Sequence, residues 1–118
     1  VRMGIVTSCR GDHFKMIHAS TGLLSYFDFV LLREDYGASK PEPEPYLVAM
    51  ERNGLAADEC LVVEDSERGL QAAVAAGLRC VVIPQGLTEQ SNFSRAFAVL
   101  KDINELAPLV SALILEDA

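Results

Sequence analysis

The chain has 118 residues, half of them hydrophobic, with 17 acidic against 10 basic residues and a formal net charge of −7. That length allows at most one domain, large enough to bury a real core; no apolar run approaches the ~18 residues of a membrane span, and the acidic balance without a Lys/Arg cluster excludes the basic face a nucleic-acid partner needs. Cys9, Cys60 and Cys80 match no CxxC or zinc spacing, and no charged-then-apolar leader pattern opens the sequence, so a soluble protein of the reducing cytoplasm is expected.

Met3 to Val6 is a short apolar run, read as a strand, that ends in the small polar turn Thr7, Ser8, Cys9, Arg10 and Gly11. Asp12 is placed to cap a helix in which Phe14, Ile17 and Thr21 share a face, closing near Gly22. His13 and His18 fall in that helix with no partner at metal-ligand spacing, so they read as surface or satisfied structural residues. Tyr26 to Leu32 is aromatic and aliphatic, and Phe29 to Leu32 reads as the next strand. Arg33 to Pro45 is too rich in Gly, Ser and Pro to be regular until its prolines open a helix, expected from about Pro43 to Arg52 with a stop at Gly54. Lys40 lies in the loop before that helix, directly ahead of Pro41, which biases it to an extended backbone.

The stretch Cys60 to Gly77 organises the rest. Leu61 to Val63 has the β-branched character of a strand buried on both faces of a parallel sheet. It stops on two carboxylates, Glu64 and Asp65, after which Ser66 is placed to cap a helix with Leu70, Ala73 and Val74 on one face and a terminating Gly77. Arg79 to Ile83 reads as a further strand, followed by the loop Pro84 to Ser94. In the tail, Ile103, Leu106, Ala107, Val110, Leu113 and Ile114 form a helical stripe. Strands and helices alternating at this spacing imply βαβ units, hence an α/β fold with a parallel sheet and helices on both faces.

In such a sheet ligands bind at the carboxyl ends of the strands, where residues far apart in sequence converge. Thr7, Lys40 and the pair Glu64/Asp65 all stand at such ends or in the loops beyond them. A hydroxyl with neighbouring backbone amides, an ammonium, and carboxylates able to share Mg²⁺ together make a phosphoryl site. Each has a blander reading: Thr7 as a turn residue, Lys40 as a solvated loop lysine, the acidic pair as a helix cap favouring the positive end. The absence of GxGxxG after a strand sets aside dinucleotide binding. A phosphoreceiver domain would carry its acidic residues first and its lysine last, the reverse of the order here.

The segments MGIVTSC, GASKPEPEPY and VVEDSERGLQAAVAAG resemble the second, third and fourth motifs of the haloacid dehalogenase-like hydrolases. They are most similar to the branch of that family that includes β-phosphoglucomutase and phosphoglycolate phosphatase. The resemblance implies a three-layer, Rossmann-like core acting on a small phosphorylated metabolite with Mg²⁺, through an aspartyl-phosphate. It implies that Thr7 binds the transferred phosphoryl group and that Lys40 stabilises it. Asp65 would ligate Mg²⁺, with Glu64 acting through water; Ser8 and Cys9 would lend backbone amides, and Arg10 would touch the rest of the substrate.

The family's first motif, DxDx[TV], which supplies the nucleophile, and the helical cap that largely chooses the substrate have no counterpart in the sequence. No aspartate here is followed by another two residues later. Residues 1–118 are therefore expected to be the C-terminal portion of such a core domain, inactive alone, as half of a larger enzyme or as a non-catalytic chain that binds phosphate or a partner. In the family the strand carrying the nucleophile lies between the strands ending here at Thr7 and Glu64. Either an upstream segment or another chain fills that interval, or the two strands close directly on each other. Finally, the position of Lys40 in a loop rather than on an apolar face predicts that it matters to reaction more than to folding.

Overall fold

The computed structural model describes residues 1–18, 22–85 and 91–117. Among them, strands β1 (Gly4–Val6), β2 (Phe29–Leu31), β3 (Leu61–Glu64), β4 (Arg79–Val82) and β5 (Ala98–Val99) alternate with helices α1 (Gly11–His18), α2 (Glu44–Asn53), α3 (Glu67–Ala75) and α4 (Leu106–Asp117). Short 3₁₀ turns link several of them. All strand pairs are parallel, as the alternation requires. The expected continuation of α1 through Thr21 lies outside the described residues, as do the side chains of His13, Ile17 and His18 and part of the loop after β4.

The strands form two hydrogen-bonded sheets, β2-β1 and β3-β4-β5, rather than a single one. Gly4 pairs with Phe29 and Val6 with Leu31 in the first, and Leu61 with Arg79 through Glu64 with Val82 in the second. β1 and β3 do not pair with each other, so direct closure of these two strands is not what the chain does. This topology also corrects the expected burial of β3. As the edge of its sheet it leaves Val63 43% exposed, whereas β4, flanked on both sides, buries Cys80, Val81 and Val82 almost completely. β5, only two residues long, extends this sheet through Phe97 N–H to Cys80 O (2.8 Å) and Leu100 N–H to Val82 O (2.8 Å).

Helix boundaries follow local chemistry. Ser66 caps α3, its hydroxyl accepting from Gly69 N–H at 3.1 Å. The helix ends with Gly77 at φ 82°, where Leu78 N–H reaches Ala73 O and Gly77 N–H reaches Val74 O, a pattern that satisfies the last carbonyls and needs a residue without Cβ. Gly54 at φ 62° closes α2 in the same way. One core cluster joins Tyr46 of α2 and Leu70, Ala72 and Ala73 of α3 to Val62, Cys80 and Val82; a second joins Leu31, Tyr36 and Ala49. Val6 packs against both and so links the two sheets through side chains. The tail stripe is only partly covered: Leu106, Val110 and Leu113 are half-buried, while Ile103 and Ile114 are exposed. Among the described residues no helix is long and apolar enough to cross a membrane.

Candidate functional site

β1 carries Thr7 to its carboxyl end, where Thr7 N–H still bonds Leu31 O of β2 (3.0 Å) and Tyr36 hydroxyl donates to Thr7 O (2.9 Å). The turn beyond is fixed by its own side chain, because Thr7 Oγ1 accepts from Cys9 N–H at 3.1 Å. That bond uses a lone pair and leaves the hydroxyl proton to donate. The Cys9 amide is thereby committed, while the Ser8 amide has no hydrogen-bond partner among the described residues. The next stretch is tied to the turn after β2: Gly11 N–H donates to the Glu34 carboxylate (3.0 Å) and Arg33 N–H to Cys9 O (3.1 Å). Arg10 points into an exposed ion pair with Asp12 (3.0 Å), which occupies the guanidinium.

Lys40 reaches from its loop to the interval between β1 and β3. Its Nζ lies 3.3 Å from Val6 O and 2.5 Å from Glu64 Oε1, so one ammonium bridges the carboxyl ends of both strands. Its backbone is anchored from α3, where Arg68 Nη2 donates to Lys40 O at 2.5 Å. Nζ also stands 5.2 Å from the ring centroid of Tyr46. The Lys40 and Glu64 side chains are 17% and 9% exposed, which removes the solvated-loop reading of this lysine.

The two adjacent carboxylates have different surroundings. Glu64 Oε1 accepts from both Lys40 and the Tyr46 hydroxyl, and its other oxygen lies over the first turn of α3. Asp65 is exposed. Burial, and next the negative charge of Glu64, push the Tyr46 hydroxyl well above its ordinary pKa, so it remains a donor. Ser66 caps α3, which leaves Glu64 and Asp65 without that duty. Beside them an open depression of about 240 Å³ is lined by Val63, Glu64, Asp65, Ile83, Gln85 and Ile103. A larger one, about 920 Å³, lies at the opposite ends of β3 and β4 among Ala57, Asp58, Glu59, Gly77 and Arg79, away from Thr7 and Lys40.

Among the described residues no three His, Cys, Asp or Glu side chains gather as a metal site. Asp65 fits Mg²⁺ as one carboxylate among several oxygen donors, the usual arrangement for an ion that keeps waters and takes one or two carboxylates beside phosphate. The geometry thus brings together Thr7, Ser8, Lys40 and the end of β3, and leaves Arg10 turned to Asp12. Sequence reasoning missed Tyr46 and Tyr36, whose hydroxyls brace the site. Tyr36 falls in the irregular stretch before the prolines and Tyr46 inside the expected helix, and the available signal is a hydroxyl next to a motif.

A model of the haloacid dehalogenase-like hydrolases matches residues 1–83. A haloacid dehalogenase-like hydrolase domain-containing protein of Arabidopsis thaliana is 42% identical over 79 residues, 67% of this chain and 25% of that protein. Phosphoglycolate phosphatase of Escherichia coli K12 is 32% identical over 108 residues, 90% of this chain and 43% of that enzyme. Among solved structures, CbbY from Rhodobacter sphaeroides in complex with phosphate superposes with TM-score 0.82 at 28% identity over 90% of this chain and 48% of that one. The chain therefore spans 25% and 43% of the length of these curated relatives and 48% of that of the solved structure.

Proposed function

The chain belongs to the haloacid dehalogenase-like hydrolase family, and from that premise we propose that it forms the phosphoryl-binding half of a Mg²⁺-dependent phosphatase or phosphomutase acting on a small organic phosphate. The observation that carries this reading is the Lys40 ammonium set between the carboxyl ends of β1 and β3, 3.3 Å from Val6 O and 2.5 Å from Glu64 Oε1. From there it neutralises negative charge on a phosphoryl group lying over Thr7. The Thr7 hydroxyl and the Ser8 amide donate to non-bridging oxygens, and Glu64 keeps the ammonium in place. Asp65 is the residue of this chain that would hold Mg²⁺, which when bound would supply electrophilic neutralisation of the phosphate. The aspartyl-phosphate of the family's mechanism would form on a carboxylate outside this sequence, since no DxD occurs in it. Residues 1–118 alone then turn nothing over, and an additional segment or second chain completes the sheet between β1 and β3. Three free cysteines suit a reducing cytoplasm.

The test is phosphate release from a panel of small organic phosphates by the full-length protein, with and without Mg²⁺. Metal-dependent release lost in Lys40→Ala and Asp65→Asn supports the assignment. Release that is absent in the wild type, or equal in the variants, overturns it.

A further inference from the structure

Glu64 is held on three sides. Lys40 Nζ and the Tyr46 hydroxyl both meet Oε1, and Oε2 lies where a side chain on Gly69 would begin: a Cβ built there would stand 2.0 Å from Oε2 and 2.1 Å from Cδ. No real Cβ tolerates such a contact. Tyr46 is the third residue of α2, 7% exposed, and its ring belongs to the main core cluster with Leu70, Cys80 and Val82. It is therefore a rigid support, whereas Lys40 is a long flexible side chain on a loop.

We propose that Tyr46 is a positioning residue for Lys40: its buried hydroxyl, donating to Glu64 Oε1, fixes the carboxylate that holds the ammonium, and the missing Cβ of Gly69 leaves that carboxylate its place. This deepens the phosphoryl-transfer reading above and rests on it. It divides the labour of two neighbouring carboxylates, one oriented by the core to hold a lysine, the other exposed to solvent and metal. The glycine belongs to the same device. Gly69 stands in the first turn of α3, its N–H taken by the Ser66 cap, and there its bare Cα is what admits the Glu64 side chain.

The experiment uses the full-length protein with p-nitrophenyl phosphate and Mg²⁺. Tyr46→Phe keeps the ring and removes the donor. It should lower kcat roughly three- to tenfold, the scale of one hydrogen bond, while KM stays within about twofold and the protein melts as a folded domain. In a Lys40→Ala background the same substitution should change kcat by less than about twofold, because its effect passes through the lysine. An unchanged kcat in Tyr46→Phe, or an equal loss with and without Lys40, overturns the proposal. A crystal structure of Tyr46→Phe gives a readout independent of turnover: Lys40 Nζ and Glu64 Oε1 should separate beyond ~4 Å, and a contact retained at its native length refutes positioning. Gly69→Ala, if folded, should displace the Glu64 carboxylate in the same way. Wild-type protein with no metal-dependent hydrolysis would sink the functional reading instead, leaving the crystallographic comparison to decide the positioning role.

Discussion

Replacing Lys40 by alanine should cost both rate and stability. The loop position alone suggests a purely kinetic role, but Nζ pairs at 2.5 Å with a Glu64 carboxylate whose side chain is only 9% exposed. Removing one member of a buried pair leaves an uncompensated charge, at ~3–5 kcal/mol for full burial. Lys40 itself is 17% exposed and Tyr46 still donates to Glu64, so solvent screening and that remaining bond reduce the expected loss to about 2–3 kcal/mol. In the full-length protein, for a folded unit of about 150–250 residues, that corresponds to a fall in Tm of about 4–12 °C. Turnover in the full-length protein should drop roughly a hundredfold or more, the scale of losing one preorganised charge partner. Calorimetric melting separates the causes. Lys40→Ala combined with Glu64→Gln should recover more than half of the lost stability, since no bare charge remains, yet recover no activity. A Tm within measurement error of wild type, or a double variant no more stable than the single one, would refute the buried-pair argument.

Asp65→Asn should abolish most Mg²⁺-dependent turnover while shifting stability by no more than about 0.5 kcal/mol, as for other exposed positions; the check is kcat beside a thermal melt. The Cys80 thiol, 1% exposed, is pushed up to about 12 by burial and then by the nearby Glu64 charge. Above its ordinary value of 9.0 the unfolded chain releases a proton that the folded chain keeps, so stability should fall as pH rises from there toward about 12. Urea unfolding at pH ~8 and ~10.5 should show the decline, and Cys80→Ala should reduce it, leaving the share of Cys60 and Tyr46, which burial also raises. The isolated 118-residue chain, with β1 and β3 unpaired on facing edges, should self-associate or melt without cooperativity; a monodisperse, cooperatively melting monomer in light scattering and calorimetry would contradict this.

Much of the architecture could be read from local pattern, because the strands of α/β units are short apolar runs punctuated by caps. Ser66, Gly54 and Gly77 marked helix ends by their own conformational needs, and the polar residues following Val6 and Val63 marked the rim where a site belongs. What pattern could not supply was environment. Val63 looks as buried as Val81, and only the strand order, with β3 at an edge and β4 inside, separates them. β5 is too short to leave a period. Lys40 in a proline-rich loop looks solvated, and its burial depends on Glu64 folding back over Gly69 to meet it. Tyr46 and Gly69 acquire their meaning only through that carboxylate. Neither residue type at those helix positions announces a contact with a strand end 18 residues from Tyr46 in sequence.

On the proposed function, Thr7, Lys40 and Asp65 serve one phosphoryl group. A crystal structure of the full-length protein with Mg²⁺ and inorganic phosphate tests it most directly. The expected result is a phosphate whose oxygens lie within hydrogen-bonding reach, ~2.7–3.2 Å, of Thr7 Oγ1, Ser8 N and Lys40 Nζ, with Mg²⁺ on an Asp65 oxygen at ~2.1 Å. Phosphate bound away from Thr7 with Lys40 engaged only by Glu64, or Mg²⁺ held without Asp65, would contradict it.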